Sequence, residues 1–337
     1  MNAPALALRG MPSRAARFDW TLALLPILLV LLVAGMSLVS PQFYGPMNVL
    51  NILRNTSFLT IVALGQAMVI IAGGFDLSVG AVVALASVVC AKTMGWAGAV
   101  FPGNDAAVVL CGVGAGLGSG LVVGLVNGLC VSRLKVSGFV VTLGTMSATA
   151  GVGLMITSGI PVYGMPDGFV KGFGRGQVLG LPIAVYLALA LLLVMIFVQR
   201  RTLFGRYVYA IGGHAEAAVV SGVSIERHVV GTYVLSGVLA ALAGILYTAL
   251  VGSGQASFGG DRMMLQSIAA AVIGGVSLRG GVGRVESVAL AALFLTALGN
   301  ALNLLQVDAR LQPVFLGLVM VAAVAAEELA RRRVHRV

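Results

Sequence analysis

Asp76 stands alone as a carboxylate inside a long apolar stretch. From Leu64 to Cys90 the chain reads LGQAMVIIAGGFDLSVGAVVALASVVC, two apolar runs that meet at Gly73-Gly74, with Asp76 just past the junction. An ionised group in hydrocarbon is costly, so this one must face protein, water or a membrane surface. The paired glycines supply backbone freedom or close packing where a continuous helix has neither. The other polar groups within or bordering apolar runs are Gln66, Asn127, Gln266, Glu286, Asn300 and Asn303. Such groups either line a polar translocation path or gate, or hydrogen-bond between helices at about 0.6 kcal/mol each. Asp76 is assigned to the path or gate, because a carboxylate costs more to bury than an amide. Asn127, Asn300 and Asn303 are assigned to interhelical bonds.

Other chemistries find no residues to carry them. No GxxxxGK[ST] phosphate loop occurs, so the chain has no P-loop of its own for ATP. The glycine cluster GGVSLRGGVGR, Gly274 to Arg284, lacks dinucleotide-binding spacing and follows an apolar segment rather than a soluble strand. The histidines are His214, His228 and His335. The cysteines, Cys90, Cys111 and Cys130, lie 21 and 19 residues apart in apolar sequence, where they read as small buried hydrophobes. No metal site, catalytic triad, disulfide framework or cofactor is expected, and the chain is not read as an enzyme.

The elements that must position these groups follow from composition. Hydrophobic residues make up 59% of 337 positions and charged residues 9%, against about 25% charged in a soluble domain. The expected fold is all-α, a polytopic protein of the lipid bilayer. Its net charge of +10 lies mainly between apolar runs, where it sets orientation by the positive-inside rule rather than binding nucleic acid. Ten spans are expected: Leu22–Val39, Val49–Ala72, Leu77–Met94, Ala107–Val131, Phe139–Thr157, Ile183–Gln199, Val229–Val251, Leu265–Leu278, Val285–Leu305 and Pro313–Leu329. The eighth is short and glycine-rich, which suits a broken or re-entrant segment. With both termini inside, fifteen of the 21 basic residues fall on the inner side. These include Arg9, Arg14 and Arg17 at the start and the arginines of the tail. The apolar run after Arg17 is taken as a retained first helix rather than a cleaved signal.

The domain reading is a cytoplasmic segment 1–21, one transmembrane unit 22–329, and a basic cytoplasmic tail 330–337. Two loops stand out within it. Residues 158–181 fall outside, are rich in Gly, Pro and aromatics, and read as an ordered cap or vestibule without helical or strand period. Residues 200–228 fall inside. There Gly212-Gly213 precedes a helix-forming run, His214 to Val220, that stops at Ser221-Gly222. With Glu216 exposed, this two-turn helix is either a docking knob for a soluble partner or an interfacial helix lying on lipid. Gly112, Gly116, Gly120 and Gly124 make consecutive GxxxG steps that allow close helix contact. A faint internal echo relates GGFDLSVG (73–80) to GGVSLRGG (274–281), with chance an equal explanation in a chain holding 46 glycines.

Four stretches, in order, give the chain a family likeness. GGFDLSVG (73–80), YAIGGH (209–214) with EAA (216–218), SGV (221–223) and IAAAVIGGVSLRGGVG (268–283) resemble the membrane permease of bacterial ribose-type ABC sugar importers, which also serve xylose and galactose. The likeness runs from about Val49 to Glu328. Phe75 stands where isoleucine is usual, and His214 where asparagine is common. The resemblance implies a permease forming the path for a monosaccharide, a ribose-like pentose or a hexose. Its partners would be a second copy or a closely related permease, a separate cytoplasmic ATPase, and a periplasmic sugar-binding protein. It places the path or gate at Gly73, Gly74, Asp76, Ser78, Gly274, Gly275 and Ser277, to which the polar groups in the apolar runs add Gln66 and Gln266. It places ATPase coupling at Arg206, Tyr209, Gly212, Gly213, His214, Glu216, Ser221 and Gly222. One departure bears on cargo: the family often carries an acidic residue before the late motif, where this chain reads Met263-Met264-Leu265-Gln266. The alternatives are ABC import of a non-sugar solute, or an ion-gradient transporter with Asp76 as its coupling site.

Overall fold

The computed structural model describes residues 20–325, apart from positions 309, 316, 319, 320, 323 and 324. Arg9, Arg14 and Arg17, the tail 330–337 and the end of the tenth expected span lie outside the described residues. The chain is α-helical, as its composition requires. In order, the helices are α1 (Trp20–Val39), α2 (Pro46–Ile71), α3 (Val79–Val100), α4 (Asp105–Ser132), α5 (Gly138–Thr157), α6 (Ile183–Arg201), α7 (Leu203–Gly213), α8 (Ala215–Val220), α9 (Ile225–Val251), α10 (Gly260–Ile273) and α11 (Val285–Leu304). Among the described residues, α2 to α6, α9 and α11 are each long and apolar enough to cross a membrane. A further helical stretch starts at 312.

The eighth expected span, Leu265–Leu278, needs correction. The helix there, α10, begins earlier and stops at Ile273 because Gly274 and Gly275 end it. At 14 residues it is about 21 Å long, short of the roughly 30 Å hydrocarbon layer. The third span starts later than expected, at Val79, since Leu77 and Ser78 belong to a turn that holds Asp76.

α2 is the axis of the bundle. Every residue from Ser57 to Ile71 is buried, and α6, α9, α10 and α11 pack around it. A helix apolar on all sides belongs in such a position. α5 and α6 instead expose apolar side chains such as Leu154, Met155, Leu193 and Phe197, the composition of a lipid-facing surface.

The GxxxG steps explain the tightest seam. Gly112 and Gly116 lie against α3, near the Cys90 and Ala86 carbonyls, whereas Gly120 and Gly124 lie against α9. A Cβ on Gly120 would sit 2.3 Å from the Gly237 carbonyl oxygen, and one on Gly124 2.5 Å from that of Tyr233. Backbones this close leave no room for any side chain, so the seam requires glycine on both helices.

Residues 158–181 are ordered against the bundle and contain local structure that their composition hid. Gly168–Gly174 form a π-helical turn, and β1 (Gln177–Val178) pairs with β2 (Leu181–Pro182) in a minimal antiparallel hairpin. Phe169 is buried. Arg175 donates from Nε to the Leu250 carbonyl (2.9 Å) and from Nη2 to that of Val251 (3.1 Å). A guanidinium at the end of α9 satisfies its last carbonyls and suits the negative end of the helix dipole.

The seam sets a stability test. Gly120→Val forces α4 and α9 apart, and overpacking of this kind costs about 1–3 kcal/mol or more. The detergent-solubilised variant is expected to melt well below wild type. Gly114→Ala, on the same helix with open space around it, is expected to melt with wild type; equal melting of Gly120→Val would refute the close seam.

Candidate functional site

Asp76 is held by hydrogen bonds from three directions. Its Oδ1 accepts from the Ser78 amide (3.0 Å) and hydroxyl (2.6 Å), and its Oδ2 from the Ser236 hydroxyl on α9 (2.8 Å). Asn127 on α4 donates to Ser78 Oγ (2.9 Å), and Thr145 on α5 donates to Asn127 Oδ1 (2.7 Å). The turn's backbone is pinned as well. Leu77 N–H donates to Thr142 Oγ1 (3.0 Å), and the Tyr233 hydroxyl donates to the Phe75 carbonyl (3.0 Å). Asp76, Ser78, Asn127 and Ser236 are all buried. The carboxyl group thus ties the α2–α3 turn directly to α9, while Ser78 and the turn backbone extend the tie to α4 and α5. Sequence reasoning found Asp76 and Asn127 but missed Ser236, Thr142, Thr145 and Tyr233. Serine and threonine in apolar helices commonly bond their own backbone, so their presence alone did not single them out.

The turn is entered by a glycine helix stop. Gly73 has φ +84°, its N–H reaches the Ile70 carbonyl, and the Gly74 N–H reaches that of Val69, both at 2.9 Å. α10 ends in the same way. Gly275 has φ +81°, its N–H reaches the Val272 carbonyl (2.9 Å), and the Val276 N–H reaches that of Ala271 (3.0 Å). Both are left-handed caps of the Schellman type, which glycine adopts without a Cβ penalty. The internal echo therefore has a structural counterpart, displaced by one residue so that Gly73 corresponds to Gly275. Gly274 packs on the Val288 backbone, and Ser277 is buried in the turn that follows, its carbonyl accepting from Gly280 N–H (2.9 Å).

α7, α8 and both stops meet at one end of the bundle. The Gly281 N–H donates to the Ile71 carbonyl (2.8 Å), joining the end of α2 to the loop before α11. Gly212, at the end of α7, lies against the same two groups, and a Cβ there would stand 1.8 Å from the Ile71 oxygen and 2.6 Å from the Gly281 nitrogen. Three backbone segments therefore touch with no side chain between them. Tyr209 holds the far edge: its hydroxyl donates to the Gly283 carbonyl and accepts from Gln199 Nε2. Burial, with the charge of Glu286 adding to it, pushes that hydroxyl up to about 12, so it stays a donor at any working pH. Arg200 pairs with Glu286, and Arg133 with Glu226, at the same end.

α8 projects from this joint. His214 caps it, with Nδ1 accepting from the Ala217 N–H (3.3 Å), and Ser221 and Gly222 end it, Gly222 at φ +79°. Arg206, Gly213, His214, Glu216, Val219, Val220 and Ser221 are exposed. The expected helix forms over Ala215–Val220, with His214 as its extended cap rather than its first helical residue. α7 was missed: its glycines at 205, 212 and 213 suggested a loop, yet its apolar face, Val208 and Ile211, is buried on the bundle.

At the other end of the bundle a cavity of about 440 Å³ opens between α2, α9, α10 and α11. Gln266 lines it, together with Asn55, Asn300 and Asn303. Gln66 lies deeper on α2, fully buried, and neither its Oε1 nor its Nε2 has a partner among the described residues. Asn300 bonds Asn48 through both amide atoms (2.9 and 2.7 Å), and Asn303 Oδ1 accepts from Gln312 (2.6 Å).

These features define a polytopic helical transport protein with a polar cavity at one end and a projecting helix at the other. The family described as the branched-chain amino acid transport system permease component matches residues 48–324, and the chain belongs to that permease family. It is 40% identical to the ribose import permease of Bacillus subtilis (strain 168) over 88% of this chain and 89% of that one. To the D-allose transport system permease of Escherichia coli (strain K12) it is 34% identical over 90% of each. To the L-arabinose transport system permease of the same strain it is 36% identical over 84% and 83%. No solved structure matches. The chain is a multi-pass protein of the bacterial inner membrane.

The Asp76 knot yields a graded prediction. Asp76→Ala leaves the Ser236 hydroxyl and both Ser78 donors without their acceptor, each loss costing about 1–3 kcal/mol. Asp76→Asn keeps one oxygen for Ser78. In thermal melts of purified protein the alanine variant is expected to lose most folded material and the asparagine variant much less. Equal behaviour would mean the hydrogen bonds do not hold the turn.

Proposed function

We propose that this chain is the permease subunit of an ABC importer that carries a monosaccharide, a ribose-like pentose or a hexose. The observation that carries the reading is the backbone joint where Gly212 meets Ile71 and Gly281. α8, with Glu216, Val219 and Val220 exposed, is the contact for a separate cytoplasmic ATPase. α7 carries its displacement to the joint. From there it acts at once on the α2–α3 turn, which holds Asp76, and on the α10–α11 turn. A passive pore or a gradient-driven carrier has no use for such a docking element. The permeases for ribose, allose and arabinose support a sugar as cargo.

In this reading the α7–α8 end faces the cytoplasm, in keeping with Arg133, Lys135, Arg200, Arg201, Arg206, Arg227, Arg279 and Arg284 at that end, and both chain termini lie inside. The working assembly is two permeases, identical copies or close relatives, with two ATPase domains and a periplasmic sugar-binding protein. Gln66, Gln266 and the two glycine stops line or brace the path.

Purification in mild detergent tests this. Wild type is expected to retain a P-loop ATPase, and the triple change Glu216→Arg, Val219→Asp, Val220→Asp to lose it. Gly212→Ala is expected to keep the ATPase but to lower ATP-driven sugar uptake in vesicles by about tenfold or more, equivalent to roughly 1.4 kcal/mol of lost coupling. Uptake driven by an ion gradient without ATP would overturn the reading.

A further inference from the structure

We infer that the permease itself carries a subsite for a neutral polyhydroxylated solute, formed by Asn55 and Gln266 in the outer cavity and continued inward by Gln66. The inference rests on the import-permease reading and adds a selective station inside the membrane unit.

The lining chemistry comes first. The cavity of about 440 Å³ falls within the roughly 300–1,000 Å³ typical of small-molecule sites. Among the described residues four amides line it and no carboxylate does; Asp261 lines a neighbouring, mainly apolar hollow that shares Arg262 and Gln266 with it. Amides offer both donors and acceptors, which matches hydroxyl groups that are themselves both. An amino-acid zwitterion would bring an ammonium group with no carboxylate in the lining to pair it. Arg262 at the lip is already turned to Gln312 Oε1 (3.2 Å). Tyr247 and Phe258, with ring centroids 5.6 Å apart, add an aromatic wall for the C–H face of a sugar ring.

The second observation concerns which amides are free. The side chains of Asn55 and Gln266 make no hydrogen bond among the described residues, whereas Asn300 and Asn303 are engaged with Asn48 and Gln312. Gln66 is also unpartnered, at 0% exposure. Of the three only Gln66 is fully buried, Gln266 being half-buried and Asn55 exposed at the cavity mouth. An unpaired buried amide such as Gln66 is rare because it costs about 1–3 kcal/mol. Asn55, Leu59 and Gln66 fall on one face of α2, since spacings of four and seven residues return to the same side of a helix. Asn55 and Leu59 line the cavity, and Gln66 lies about 16 Å further along the axis. The face turns toward α10, between the side touching α9 through Phe58 and Tyr247 and the side touching α11 through Thr56 and Thr296. Free amides thus mark successive depths along one line, leading toward the α7–α8 end.

The test uses the full complex, with its co-purified ATPase and binding protein, in lipid vesicles. The probes are D-ribose, D-allose and L-arabinose, with L-leucine as the zwitterionic comparison. Gln266→Leu and Gln66→Leu are expected to cut sugar taken up per ATP hydrolysed by about tenfold or more, since hydrogen-bonding sites lose strongly when a partner goes. The binding protein's own sugar affinity is untouched, and continued co-purification of the ATPase shows that the variants fold. Gln266→Asn is expected to recover part of the loss. Unchanged sugar per ATP and unchanged preference in both leucine variants would overturn the subsite while leaving the importer reading intact. Preference for L-leucine, or uptake of none of the three sugars by a complex that hydrolyses ATP, would overturn it too. Loss of ATP dependence altogether would instead strike the importer reading.

Discussion

Helices in a bilayer gain little by hiding apolar surface from one another, because lipid is as apolar as they are. What holds them is close contact, and this structure takes it to the limit of backbone on backbone. α4 meets α9 through Gly120, Gly124 and Gly237, and α9 meets α3 where Gly244 lies against the Val83 carbonyl. The same device joins α7 to the turns after α2 and α10 at Gly212 and Gly281. Where side chains intervene, two neighbours can slide by changing rotamers. Where backbones touch, they cannot, and displacement of one becomes displacement of the other. The seam at α4–α9 and the joint at Gly212 are one physical solution used twice: rigidity within the bundle and, in the proposed function, transmission at its surface.

Polar groups supply what glycine contact lacks, which is direction. The Asp76 knot fixes the α2–α3 turn at a single register, since shifting it would strand several donors in a buried site. Ser236, Asn127 and Thr145 sit on three helices, so the turn also reports their relative positions. The α10–α11 turn has no comparable carboxylate. It shares the same glycine stop but is held by the Ile71–Gly281 bond and by Tyr209 at Gly283. Of the two similar turns, one is locked to the bundle and the other is locked to α7.

The sequence was most readable where one residue type has one use. A run from Ser57 to Ile71 with no charge is a buried helix, and Gly-Gly after an apolar run is a stop. The run between Gly213 and Gly222 is a short helix, legible to within one residue because His214 caps it instead of starting it. α7 was not, because three glycines in eleven residues argue locally for a loop, and only packing of Val208 and Ile211 on the bundle overrides them. The span 265–278 was displaced because its apolar count continued through Gly274 and Gly275, whose left-handed and capping geometry ends the helix. Of the site, Asp76, Gln66 and Gln266 were visible as rare polar groups in apolar surroundings. Their partners were not, since which hydroxyl faces a carboxyl group is a matter of helix rotation that no spacing reveals.

The two ends of the molecule then impose different demands on the same central helix. At its α7–α8 end α2 must be stiff, because the Ile71 carbonyl is where α7 and the loop before α11 converge. Toward the cavity it carries Asn55 and Gln66 with their amides uncommitted. Pairing Gln66, the buried one of the two, would make the fold more stable by about 1–3 kcal/mol for each group satisfied. Retaining unpaired amides on the one helix that is also the mechanical axis means that any movement delivered at Ile71 moves them as well. In the proposed transport cycle, binding geometry and drive then fall to a single rigid element, 26 residues long, and a solute held by those amides would respond to what happens at α8.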